Sequence, residues 1–426
     1  MMELNKVCIG GFRNIDNVCL DFSYITALVS MNSYGKSNIL TGIDFAVDFL
    51  TATKKSKRDM MSWTYGIPLT KEIESKDFLA DFEFITEFMN TEYIINYGYS
   101  FAWVHKNDKG RKIVGEWLKI KQNVKGQKFT QLILRENEKV VYKSSETGRC
   151  NTNIRIEDDE LVLTKLNAFD SLFYADIINQ IISLKIYIDR HLDSSDLFEP
   201  EPLIRKGFDD LEIDGIRSIP RAVYFLKRDF PNKYKILLNA YKQLFPNIEK
   251  VTIRTFKINA ETNFTEDVPY IVTDRIYRLM VTDKNLNQPI SFERLSDGAK
   301  RVFLMLTYAI IADVKGLSLI AFEEPENSIH PGLLQSYLRV LNQLTEKCKI
   351  IITSHSPYII QYLEPNNIYI GLPNNDGVAR FCRIAKGKER AILRDSMENN
   401  ESLGDYIFDL LSGDEDELEE LSDYLE

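Results

Sequence analysis

The sequence predicts an α/β chain: a parallel sheet, an antiparallel β region, and a helical insertion. Three observations predict it. "VSMNSYGKSN" at 29–38 joins an apolar strand to a glycine-containing loop and then to helical spacing at Ile39, Ile43, Ala46 and Leu50. Residues 77–135 alternate polar and apolar side chains between polar turns such as "NDKGR", the mark of antiparallel strands. Residues 291–371 alternate short apolar strands with apolar helices, which suits a parallel sheet covered on both faces.

The elements follow in chain order. Residues 1–53 hold short strands, the loop and its helix, and 54–164 are mainly antiparallel β. Residues 165–248 read as a helical insertion, with "DSLFYADIINQIISLKIYIDRHL" and "KYKILLNAYKQLF" at helical spacing and prolines at 220 and 231 bracketing another helix. Residues 249–385 return to strands at 250–258 and 277–283, then to the apolar helix "GAKRVFLMLTYAIIADV" and the strands "LSLIAF" and "KIIITS". Residues 386–426 end in the acidic "GDEDELEELSDYLE", expected to be a solvated or frayed helix.

Composition narrows the function classes. With 426 residues and 44% hydrophobic side chains, the chain can bury a large core without staples. A net charge of −10 argues against a generally basic nucleic-acid coat, though not against a local basic groove. The cysteines Cys8, Cys19, Cys150, Cys348 and Cys382 are scattered and lack C-x-x-C spacing, which predicts reduced thiols, no disulfide framework and no zinc site. The start lacks a signal-peptide pattern and no long apolar run occurs, so a cytoplasmic protein without a membrane span is expected.

Four motifs carry chemistry. In G-x-x-x-x-G-K-[ST], glycine opens the loop; here Ser30 stands in its place, ahead of Gly35, Lys36 and Ser37. Amides at the helix start favour phosphate, Lys36 reaches toward β/γ-phosphates, and the Ser37 hydroxyl suits Mg²⁺. The alternative is a strand-to-helix turn with an exposed lysine. "FERLSDGAKR" at 292–301 offers Ser296 and Gly298 at another helix start, where a serine cap is the common reading. "LSLIAFEEPENSIHP" ends a strand on Glu323, placed for a metal hydration shell, and Glu324, placed to polarise a water. Two exposed acids in a turn are the plainer alternative. "IIITSHSP" sets His355 just past a strand, as a γ-phosphate contact or as an ordinary surface histidine. Each motif is ambiguous alone. Their shared order, each at a strand end or helix start, points to one nucleotide site at the edge of an α/β sheet.

Together with "GFRN" near the start and "NYGYSF…GEWLKI", these motifs resemble the ABC-type heads of the SMC, RecF and OLD group of ATPases. They are most similar to small AAA-type ATPases of bacterial abortive-infection, anti-phage systems. The resemblance implies an ABC-type P-loop ATPase head using ATP and Mg²⁺. Loop residues Asn32, Ser33, Gly35, Lys36, Ser37 and Asn38 would bind nucleotide, with Ser296 and Gly298 supplied by a second copy. Glu324, His355 and Lys36 would be catalytic, and Ser37 and Glu323 would hold the metal. Asn327 and Ser328 would lie near the interface of a homodimer or higher homo-oligomer. A separate effector, a nuclease or toxin, is the expected partner. The segment after His355 leaves no evident room for the TOPRIM nuclease domain of some relatives. Two other functions compete: an ATP-bound scaffold with little turnover, and a RecF-like DNA-repair ATPase. The latter would use nucleic acid on the basic stretches "KKSKR" (54–58) and "HKNDKGRK" (105–112).

Overall fold

The computed structural model describes residues 2–32, 34–104, 112–169, 171–189, 198, 202–207, 209, 211, 219–258, 269–345, 347–373 and 376–426. The chain divides into two units: Met1–Ile188 with Gly316–Ala321 and Lys347–Glu426, and Asp189–Lys315 with Phe322–Glu346.

The first unit opens with β1 (Glu3–Phe12), β2 (Ile15–Asp21), β3 (Ile25–Val29), α1 (Lys36–Thr51) and α2 (Lys54–Met61). It continues with β4 (Phe78–Phe88), β5 (Thr91–Phe101), β6 (Ile113–Gln122), β7 (Thr130–Glu136), β8 (Lys139–Lys143), β9 (Cys150–Asn153), α3 (Val162–Leu166), α4 (Ala175–Ile182) and β10 (Ile186–Asp189). The second unit holds β11 (Leu203–Arg205), α5 (Ile219–Asp229), α6 (Pro231–Leu244), β12 (Ile248–Lys257), β13 (Tyr270–Val272), β14 (Arg275–Asp283), β15 (Ile290–Ser291) and α7 (Asp297–Lys315). Strand β16 (Leu319–Glu323) begins in the first unit and passes into the second, which also holds α8 (Pro331–Leu341). The first unit then closes with β17 (Lys349–Ser354), α9 (Pro357–Tyr362), β18 (Ile368–Leu372), β19 (Arg380–Cys382), α10 (Glu389–Glu398), α11 (Leu403–Ser412) and α12 (Glu415–Asp423).

Both expected sheets form. The antiparallel one runs β2-β1-β4-β5-β6-β7-β8-β9, and the other runs β10-β16-β17-β3-β18-β19. In the latter, β3 pairs in parallel with β17 and β18, while β19 turns back antiparallel. Helix α1 is buried on most sides, from Ile39 and Leu40 to Phe49 and Leu50, as expected of a helix inside a core. Phe45 and Phe49 pack on Phe78 and Phe101 of the antiparallel sheet, and the Tyr99 hydroxyl donates to Ala46 O at 2.7 Å. The same core takes in Leu28, Leu319 and Ile351 of the parallel sheet, so the helix that follows the loop is anchored to both layers.

Two expectations are corrected. Cys8 and Cys19 are cross-strand partners in β1 and β2 and form a disulfide, with Cα atoms 4.0 Å apart. Hairpin register brings them together, which spacing along the chain does not reveal. Cys150, Cys348 and Cys382 are not in a disulfide among the described residues. Of the stretch read at helical spacing near 170–192, the described residues 171–189 give the short α4 and then β10, an edge strand. Within "KKSKR", Lys54 pairs with Glu157 at 3.0 Å, Arg58 pairs with Asp159, and Lys57 is buried against the Phe49 ring. Most of "HKNDKGRK" lies outside the described residues. No helix among the described residues is long and apolar enough to cross a membrane.

Candidate functional site

In the first unit the site is built on the two central strands β3 and β17. Their parallel register sets Ser354 beside Val29, so the residues that follow each strand, His355 and Ser30, arrive at the same edge. Lys36 Nζ donates to Ser30 O at 2.7 Å, Ser30 Oγ at 3.0 Å and Met31 O at 3.0 Å. His355 Nδ1 lies 3.1 Å from Lys36 Nζ and 2.9 Å from Ser30 O. These contacts make opposite demands on Nδ1, a lone pair for the lysine and a proton for the carbonyl. A change of tautomer therefore exchanges one partner for the other.

Ser30 in place of glycine is accommodated by the next strand. A Cβ on Gly371 of β18 would stand 2.7 Å from Ser30 Cβ, so the glycine in β18 makes the room that the loop serine needs. The Ser30 hydroxyl is used as well, donating to Met31 O at 3.0 Å. Gly35 is obligatory: its φ is 99°, and a Cβ would meet Ala379 Cβ at 2.7 Å.

The remaining loop residues differ in their roles. Asn32 and the Ser37 side chain are exposed, and Ser33 lies outside the described residues. Asn38 is engaged at both ends, accepting from Arg13 Nη1 at 2.7 Å and donating to Asn14 Oδ1 at 2.8 Å. Arg13 also donates to Tyr65 O at 2.8 Å and lies over the Phe12 and Trp63 rings. Motif reasoning used "GFRN" only as a mark of resemblance and missed that it braces the first turn of α1.

The second unit carries the other half of the predicted residues. Ser296 is exposed and caps α7, accepting from Ala299 N at 3.4 Å. Gly298 allows a close approach, since a Cβ there would fall 2.4 Å from Ser328 O. Glu324 adopts φ 47°, a left-handed conformation uncommon for residues other than glycine. Its carbonyl accepts from Asn327 N at 3.2 Å, closing a turn with Pro325 at the second position, and from Arg301 Nη2 at 2.7 Å. The Asn327 side chain donates to Glu324 Oε2 at 2.7 Å. Arg301 also reaches Glu323 O at 3.4 Å, and burial holds its pKa below the ordinary value while the Glu326 and Asp189 charges oppose that shift. Arg301 was missed by motif reasoning; the one signal was an arginine on the apolar side of a helix.

Lys36 and His355 are thus brought together in one unit, and Glu323, Glu324, Asn327, Gly298 and Arg301 in the other. In the first unit the glycine-turned helix start and the buried lysine suit phosphate and the Ser37 hydroxyl suits a hard cation; in the second, the Glu323 carboxylate is a donor of the same hard class. Among the described residues no group of three or more His, Cys, Asp or Glu could hold a metal ion.

Comparison with known proteins adds the following. Protein ea59 of Escherichia phage lambda is 38% identical over 71 residues, which is 16% of this chain and 13% of that protein. The SMC head bound to the C-terminal winged-helix domain of ScpA aligns over 91% of this chain and 99% of its own at 14% identity, with a TM-score of 0.49. The SMC head domain from Thermotoga maritima aligns over 90% and 99% at 11% identity, with a TM-score of 0.44. The family model described as "AAA domain, putative AbiEii toxin, Type IV TA system" matches residues 142–361, a span that includes Ser296, Glu324 and His355. The chain therefore belongs to this AAA-domain family.

Proposed function

We propose that the chain hydrolyses ATP between two paired heads, and that pairing controls a separate effector. The observation that carries this reading is the meeting of Lys36 and His355 at Ser30, where two neighbouring parallel strands end together. In this reading Lys36 and the α1 amides hold the β- and γ-phosphates, and Ser296 and Gly298 of a second copy close over the γ-phosphate. Glu324 takes a proton from the attacking water as the new P–O bond forms. The bond from the γ-phosphorus to the β–γ bridging oxygen breaks, leaving ADP and phosphate. His355 contacts the γ-phosphate and reports its loss to β17. Mg²⁺, held by Ser37 and Glu323, would supply charge neutralisation at the phosphates.

A role in abortive infection is supported by the family description, which names a putative AbiEii toxin. The effector would be a nuclease or toxin that binds one nucleotide state of the pair. Glu323 where aspartate is usual favours a second reading, a pair that holds ATP as a scaffold with slow turnover.

The test is Glu324→Gln. It should retain ATP and remain paired in sedimentation, while turnover falls at least a hundredfold. Parental turnover in this variant would remove Glu324 as the base. A parent that retains ATP without turnover would favour the scaffold.

A further inference from the structure

The glutamate at the carboxylate turn is held from two directions by side chains given no function so far. Arg301 lies on α7, the helix that Ser296 caps, and donates to Glu324 O at 2.7 Å and Glu323 O at 3.4 Å. It is buried, so these bonds form away from competing water. Asn327 donates to the Glu324 carboxylate itself at 2.7 Å. At φ 47° the Glu324 backbone is in a left-handed conformation that a residue with a side chain adopts at a cost, unless its surroundings impose it. The Arg301 bond to its carbonyl, and the turn closed by Asn327 N, are what impose it. Gly298 adds a third tie, because its lack of a Cβ lets the start of α7 lie directly against Ser328 O.

We propose that Arg301 and Asn327 are positioning residues for hydrolysis: Arg301 fastens the backbone under Glu324 to α7, and Asn327 aims its carboxylate. The consequence concerns communication. Ser296 and Arg301 ride on one helix, so when Ser296 engages a second copy's nucleotide, the shift of α7 is passed to the Glu324 of its own chain. Each head then turns over faster when its own signature segment is occupied, and turnover becomes cooperative in ATP. This inference rests on the reading of Glu324 as the base.

The test uses the full chain with Arg301→Met, Arg301→Lys and Asn327→Ala. Turnover and its Hill coefficient are measured against ATP, and ATP affinity by equilibrium dialysis. Arg301→Met should lose at least tenfold in kcat with ATP affinity within twofold of the parent, and its Hill coefficient should fall to about 1. Arg301→Lys keeps one donor for the carbonyl and should recover most of the rate. Asn327→Ala, a change at an exposed turn, should lower kcat severalfold with unchanged affinity. Parental kcat in Arg301→Met, or loss of ATP affinity in parallel with kcat, overturns the proposal. Should Arg301→Met fail to fold, parental kcat in both other variants overturns it. Glu324→Gln run alongside separates the two ideas: if it is inactive while Arg301→Met is fully active, only the positioning role falls. If it is active, the base assignment falls.

Discussion

Ser30 shows how one departure from a motif is absorbed by a neighbour far along the chain. The loop serine and the strand glycine form a complementary pair, since a Cβ at 371 would lie 2.7 Å from Ser30 Cβ and 2.8 Å from Phe381 Cζ. Gly371→Ala should therefore destabilise the protein by about 1–3 kcal/mol through overpacking, read as a lowered Tm. Adding Ser30→Gly should restore part of that loss, because one of the two clashes disappears. No restoration in the double variant would mean that Phe381 alone sets the cost. The same residue scale explains why Glu324 tolerates a left-handed backbone: two donors reward the carbonyl direction that this φ produces.

At the scale of elements, a buried carboxylate sets the start of α3. Glu116 of β6 is fully buried and accepts from Val162 N at 2.6 Å, Leu163 N at 2.8 Å and the Tyr97 hydroxyl at 3.2 Å. Burial pushes its pKa up to about 7, although the two helix amides, Arg135 and Tyr97 oppose the shift. Between the ordinary carboxylate value of 4.5 and about 7 the folded chain holds more protons at this position than the unfolded one. Stability is therefore lost as pH rises through that window, by up to about 3 kcal/mol. In Glu116→Gln this part of the slope should vanish, which thermal unfolding from pH 5 to pH 8 in matched buffers would detect. An unchanged slope would show that Glu116 does not titrate there. Elsewhere, Gly404 lets α11 lie against Pro357 O of α9, and Ser412 Oγ sits 3.7 Å from Met31 Sδ, so the closing helices touch both the loop and the segment after His355.

For the whole molecule, the proposed paired site makes a complementation prediction. Ser296→Arg should keep ATP affinity but abolish ATP-driven pairing, because Ser296 is exposed at the helix start where a second copy would meet it. Lys36→Ala should lose ATP itself, since the buried amine is part of the cradle. Neither should hydrolyse ATP alone. Mixed, the Lys36→Ala chain still offers an intact signature to the nucleotide held by the Ser296→Arg chain. One composite site then forms, and up to about half the parental turnover returns. A mixture that stays inactive would argue that both residues act within one chain.

Where each candidate residue sits on its own segment was legible from the sequence, because strand-end and helix-start motifs are local. An apolar run followed by a glycine turn and helical spacing specifies where Lys36 sits on its own segment, and the same holds for Glu323, Glu324, Ser296 and His355. The alternation at 77–135 was enough for an antiparallel sheet, since side-chain period follows from the pleat alone. Strand order, register and close approach were decided only in three dimensions. They joined Lys36 to His355, paired Cys8 with Cys19, matched Gly371 to Ser30, and set Arg301 under the Glu324 carbonyl. Each of these contacts links residues whose separation along the chain carries no periodic signal. Packing of whole elements selects them, and no local propensity encodes that choice.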